Sequence, residues 1–196
     1  MGALEEVDDL VKASGGEATL VPLDLLDGPA IDRLGGALAE RFGRLDVLVG
    51  NAAELGQLSP AGHFGPALVE RVMALNALAN FRLIRSLDPL LRASEAGRAI
   101  FVTCAQARER RPFWAAYAAS KAALEALALS YAEEVRRMRL RVNLIDPGPM
   151  RTRLRAQAYP GENPSDLPEP GACTEAFVEL ADAACERHGE LIRQGV

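Results

Sequence analysis

Apolar positions in this chain follow two rhythms that take turns along its length. Leu4, Val7, Leu10 and Val11 recur at helical spacing and stop at Ser14-Gly15-Gly16, which predicts a helix closed by a glycine turn. Ala18 to Asp24 is a short apolar run and predicts a buried strand. Asp27-Gly28-Pro29 is a helix start, with Ile31, Leu34, Leu38 and Phe42 on the inner face. Val47 to Gly50 is apolar without a break, the mark of a strand buried on both faces. A Gly- and Pro-containing loop over 53–65 leads to a long helix from about Pro66 to Arg92. The run Ala99 to Thr103 predicts a strand, followed by a charged loop and a helix over about 114–138. Arg139 to Asp146 predicts a further strand, broken by Pro147-Gly148-Pro149, and Met150 to Ala158 a short helix. Four prolines and three acidic residues make 159–171 a loop or lid. A helix from about Thr174 to Arg187 and a strand from Glu190 to Arg193 complete the pattern.

Strands alternating with helices predict one α/β domain over residues 1–196, a parallel sheet with right-handed crossovers. In such a sheet ligands bind beyond the carboxyl ends of the strands, so the residues after Leu23, Val49, Thr103 and Ile145 carry the interest. Composition narrows the classes. With 49% apolar and 25% charged residues and a net charge of −5, the chain reads as soluble and globular and argues against a nucleic-acid surface. No apolar run approaches a membrane span, and the acidic N-terminus has no signal pattern. Three cysteines without metal spacing suggest a reduced, cytoplasmic protein with no metal site.

Chemistry concentrates in the stretch Phe101 to Leu129. Tyr117 and Lys121 lie four apart in a predicted helix and share one face. An ammonium near a phenol favours the phenolate, which would lower the Tyr117 pKa and suit the pair to proton transfer. Lysine is scarce: Lys12 and Lys121 are the only two, and the remainder of the 22 basic residues are arginine. The same spacing also fits an amphipathic helix with an exposed lysine. Asn76 stands inside an apolar helical run, where burying it unpaired would cost on the order of 1–3 kcal/mol. Gly50-Asn51-Ala52-Ala53 follows one strand, and a positive φ at Ala53 would bring strain.

These residues, in this order and on these elements, resemble the short-chain dehydrogenase/reductases from Gly2 to Arg193. In that family a serine closes a strand and Tyr-x-x-x-Lys opens the next helix; here Cys104, thirteen positions before Tyr117, stands at the serine position. Gly50-Asn51-Ala52-Ala53 resembles the family's Asn-Asn-Ala-Gly motif with two positions changed, and Asp24 matches an aspartate that helps seat adenine. Asn76 matches an asparagine that holds a proton-relay water. Pro147, Gly148 and Thr152 match a motif on the nicotinamide side, with Asp146 where asparagine is usual.

The resemblance implies a three-layer, doubly wound, Rossmann-like parallel sheet and hydride transfer between NAD or NADP and a small-molecule carbonyl or secondary alcohol. Tyr117 would act as acid/base, with Lys121 binding the nicotinamide ribose, Asn76 organising the relay and Cys104 at the carbonyl-polarising position. Asp24, Asn51, Ala52, Pro147, Gly148 and Thr152 would contact cofactor together with Tyr117 and Lys121. No Gly-x-x-x-Gly-x-Gly turn occurs in the sequence, as though the family's first strand, turn, helix and second strand, roughly forty residues, were missing. Without them the Val47–Gly50 strand would have an open edge and pyrophosphate binding would lack its main anchor. The alternative reading is therefore a catalytically impaired fragment serving as a fold or dimerisation partner. The helices at about 66–92 and 114–138 would pack against their mates in a homodimer or homotetramer.

Overall fold

A computed structural model describes residues 2–194, except the side chain of Ala3. Four parallel strands form one sheet in the order β1 (Val47–Gly50), β2 (Arg98–Val102), β3 (Arg141–Asp146) and β4 (Leu191–Arg193). Its register places Val49 beside Ile100, Ile100 beside Asn143, and Ile145 beside Ile192. Seven α-helices accompany it among the described residues: α1 (Gly2–Ala13), α2 (Gly28–Phe42), α3 (Pro66–Met73), α4 (Ala79–Ala93), α5 (Ala115–Val135), α6 (Arg153–Ala158) and α7 (Thr174–Ala181).

The sheet is buried from both sides. Phe101 and Leu144 point into one core with Leu87 and Leu91 of α4 and Leu124 and Val135 of α5. Ile100 and Ile145, their neighbours along the strands, point into the other with Ala176 and Leu180 of α7. This is the expected three-layer parallel architecture. Helix α2 packs outside α4, where a side chain on Gly35 would come within 2.1 Å of Ser86 Oγ.

Three expectations are corrected. Residues 18–24 form no strand: the segment pairs with no neighbour, Pro22 has no N–H to give, and Asp24 Oδ1 accepts Leu26 N to start a turn. Strand β1 is not buried on both faces, because Val49 is 45% exposed toward a cleft while Leu48 faces the core. Phe42 is also outside: it ends α2 beside the left-handed Gly43 cap, with the Arg41 guanidinium 4.8 Å over its ring.

Two helices differ from their expected spans for reasons the side chains supply. The long helix at 66–92 is interrupted over Ala74–Leu78 by a wider π turn, in which Ala79 N reaches Ala74 O. Helix α7 stops at Ala181 rather than near Arg187. Buried Arg98 takes the carbonyls of Asp182, Ala183 and Cys185, and Asn143 takes that of Arg187, so those carbonyls are turned away from any helix.

Candidate active site

The carboxyl ends of β1, β2 and β3 open into a cleft of about 870 Å³. Tyr117, Lys121, Cys104, Asn51, Ala52, Pro147, Gly148 and Thr152 all line it. Helix α5 begins just past the cleft floor, so Tyr117 and Lys121, one turn apart, are both presented to it and both buried. An exposed lysine on an amphipathic helix is thereby excluded: Lys121 is 3% exposed, with Nζ donating to Val102 O at 2.8 Å.

The electrostatics run against the sequence expectation for the tyrosine. Burial, followed by the adjacent Cys104 and the charge of Asp146, pushes the Tyr117 phenol above its usual value rather than below it. Burial likewise pulls the Lys121 ammonium down, opposed by Cys104 and Glu125. The lysine lies 6.0 Å from the tyrosine ring centroid and gives its hydrogen bond to a strand carbonyl. Burial also raises the Cys104 pKa, so at neutral pH that position offers an S–H, a weak donor.

Asn76 does not line the cleft. It is fully buried in the π turn, where its amide reads the Glu54 backbone both ways: Glu54 N donates to Oδ1 and Nδ2 donates to Glu54 O, each at 2.9 Å. Nδ2 also donates to Ser120 Oγ at 2.9 Å, and Ser120 Oγ donates to Tyr117 O at 2.7 Å. Asn76 thus ties the loop after β1 to the N-terminal turns of α5. Asp24 is not brought to the cleft; it is exposed in its turn, and its neighbour Leu25 borders a separate recess of about 50 Å³ next to Asn51 and Ala52.

Sequence reasoning missed several participants. Arg108 donates to Asp146 Oδ2 at 2.5 Å and to Glu125, which also accepts from Thr103 Oγ1 at 2.6 Å. Asp146 Oδ1 accepts Gly148 N at 3.2 Å, so this ion cluster holds the Pro147–Gly148 turn. Thr103, just past the end of β2, gives its hydroxyl to Glu125, and both it and Cys104 border the cleft. Trp114 and Tyr159 complete the cleft wall; the spacing of Trp114, three before Tyr117, was the signal available for it. Ala53 is not at positive φ; Phe113 is the one non-glycine residue there among those described.

The donor set suits the nicotinamide-ribose half of a dinucleotide. Small residues line the floor at Asn51-Ala52-Ala53, and Gly148, at φ 74°, has Gln194 O only 2.8 Å from where a Cβ would stand. Thr152 caps α6 by accepting Arg155 N.

Comparison with known proteins identifies a family. A family model for short chain dehydrogenases matches residues 2–163. The oxidoreductase YciK of Escherichia coli (strain K12) is 41% identical over 143 residues, covering 73% of this chain and 56% of that protein. A fatty acyl-CoA reductase of Mycobacterium tuberculosis is 38% identical over 130 residues, 63% of this chain and 43% of that protein. The chain thus spans about half the length of these curated relatives. Among solved structures, a short chain dehydrogenase of Escherichia coli CFT073 complexed with NADPH superposes with a TM-score of 0.91 at 34% identity, covering 97% of this chain and 80% of that one. One from Pseudomonas syringae gives 0.93 at 33% identity, covering 98% and 80%.

Proposed function

Because the chain belongs to the short-chain dehydrogenase family, we propose that its cleft serves NAD(P)-dependent interconversion of a carbonyl and a secondary alcohol. The observation that carries this is the burial of Tyr117 and Lys121 together at the strand ends, with Cys104 beside the tyrosine. The nicotinamide, when bound, supplies or takes the hydride. The phenol of Tyr117 delivers the proton to the developing alkoxide, or removes it in the oxidation direction. Lys121 holds the nicotinamide ribose and lends its charge to the tyrosine side of the site. Cys104 Sγ–H faces the substrate oxygen as a weak polarising donor. Asn76 acts as a positioning residue through Ser120 and Glu54. Asn51, Ala52, Pro147, Gly148 and Thr152 contact the cofactor. Neighbours solved with NADPH and with NADP make NADPH the first cofactor to try.

The test is turnover of a carbonyl panel with NADPH and NADH. Tyr117→Phe should lower the rate at least about 100-fold. Cys104→Ser should raise it about 10- to 1000-fold as a full hydroxyl donor is regained. The rival reading, an impaired member of the family, draws on the weak thiol donor and requires no rate in wild type or in Cys104→Ser.

The same proposal includes a homodimer or tetramer in a reducing, cytoplasmic setting. Leu78 and Phe81, at the π turn and α4, are 49% and 45% exposed, and Leu129 of α5 is 39% exposed, an apolar face that a second copy would cover. A sharp monomer by light scattering at micromolar concentration would count against it.

A further inference from the structure

Resting on the reading of the cleft as a carbonyl site, we propose that the substrate carries a bulky, neutral, apolar group beside its reacting carbon, selected by a wall built from Trp114 and Tyr159. Trp114, the N-cap of α5, precedes Tyr117 by three residues, and its ring stands edge-on to the tyrosine, 5.9 Å between centroids at 64°. A group attached to a carbon within reach of the Tyr117 hydroxyl therefore has the indole as its neighbour. Tyr159, at the end of α6, continues the wall with its ring 5.8 Å from that of Trp114. Leu154 and Ala158 line the same side.

This wall is braced by two arginines that border the same cleft. The Arg155 guanidinium lies 3.9 Å over the Tyr159 ring, and Arg111 Nη1 donates to the Tyr159 hydroxyl at 3.0 Å. Both arginines have carboxylates of their own: Arg155 is gripped twice by Glu162 at 2.6 Å, and Arg111 by Glu109 at 2.5 Å. Glu109, Arg111 and Arg155 line this end of the cleft as well, but their charges are matched in ion pairs, so the surface left for a substituent to pack against is that of Trp114, Tyr159, Leu154 and Ala158. A charged substituent would have to displace an existing ion pair, whereas an apolar one gains contact area without that cost.

The approach to Trp114 is also strained. Phe113, immediately before it, is held at φ 74°, a conformation disfavoured for a bulky residue. Phe113 O accepts Ser59 N at 3.0 Å, which ties the bend to the loop after β1. The bend leaves Phe113 54% exposed and turns Trp114 inward to 8%. Strain kept next to a cleft residue is the pattern of a functional placement.

The chain has one tryptophan, so its emission reports on the wall with no hydride transfer required. The 196-residue protein is titrated with 1-phenylethanol, 2-octanol and 2-propanol, following Trp114 fluorescence. The two large alcohols are expected to half-saturate at concentrations at least about ten-fold below 2-propanol. Tyr159→Ala should bring all three within about three-fold, while Tyr159→Phe, which loses only the Arg111 bond, should keep the gap. Equal half-saturation in wild type, a gap that survives Tyr159→Ala, or a gap lost in Tyr159→Phe overturns the proposal. If Tyr159→Ala does not fold, the wild-type ratio and Tyr159→Phe decide. Failure of the turnover assay with this gap present sinks the enzyme reading alone, and a flat titration with turnover intact sinks only the wall.

Discussion

Helix α5 is one element with two kinds of interior. From Leu124 onward its buried positions, Leu124, Ala128, Ala132 and Val135, are packed among Phe101, Leu144 and the α4 leucines, and the one polar atom there, Tyr131 Oη, donates to Asp88 at 2.6 Å. Before Leu124 the buried positions are Ala116, Tyr117, Ser120 and Lys121, and the polar groups among them draw partners from other elements: Asn76 from the π turn and Val102 O from β2. The C-terminal half is held by area, which many side-chain sets of the right volume could supply. The N-terminal half is held by single directional bonds, each needing one particular partner. The C-terminal half fixes where the helix lies, and the N-terminal half fixes what the cleft presents.

The sharpest way to separate the halves is to damage each alone. Leu124 is wholly buried, so Leu124→Ala should cost about 3 kcal/mol in urea unfolding, within the range for leucine truncation in a core. Binding of 1-phenylethanol to the surviving folded protein should be unchanged. A loss under about 1 kcal/mol would mean that the packing half contributes less than its burial implies.

Ser120→Ala attacks the other half and should cost less, about 1–2 kcal/mol, because Asn76 Nδ2 keeps Glu54 O as one partner. Its signature lies in the cleft: Tyr117 loses the tether on its carbonyl, so Trp114 emission should move in this variant and stay put in Leu124→Ala. If both variants shift the emission equally, the two halves are not separable.

That division also explains what could be read from the chain. The apolar rhythm located β1 to β4 and the main helices because periodicity reports area. Tyr117 and Lys121 were legible from spacing, and Cys104, Pro147, Gly148 and Thr152 from the family resemblance; all six line one cleft. The π turn was not, since Asn76 looks like any residue in a helical run until Glu54, 22 positions away, is seen across its amide. The Arg108–Asp146–Glu125 cluster was hidden for the same reason: its members lie in a loop, at a strand end and on a helix. The tyrosine pKa direction was misjudged because spacing gives the neighbour but not the burial, and burial outweighs it here. Residues 18–24 were misread because an apolar run declares nothing about whether a strand stands beside it.

Lys121 supplies the smallest effect and the one with its own sign. Burial lowers its pKa in the folded chain below the ordinary lysine value of 10.5, with Cys104 and Glu125 only partly opposing. Between the depressed folded value and the unfolded one, the unfolded chain binds more protons than the folded chain, so wild-type stability rises with pH through that window. Below the window the folded protein carries the full cost of a buried ammonium. Lys121→Met removes that cost while leaving Val102 O without its donor, for a net gain of about 1 kcal/mol on the acid side. The margin should narrow as pH climbs to 10.5, where neither state of the wild type keeps the proton fully. Thermal melts at about pH 6 and about pH 10 measure it. A variant less stable at both, or a margin that ignores pH, would place Lys121 with the packing half of the helix, its hydrogen bond to β2 outweighing its burial.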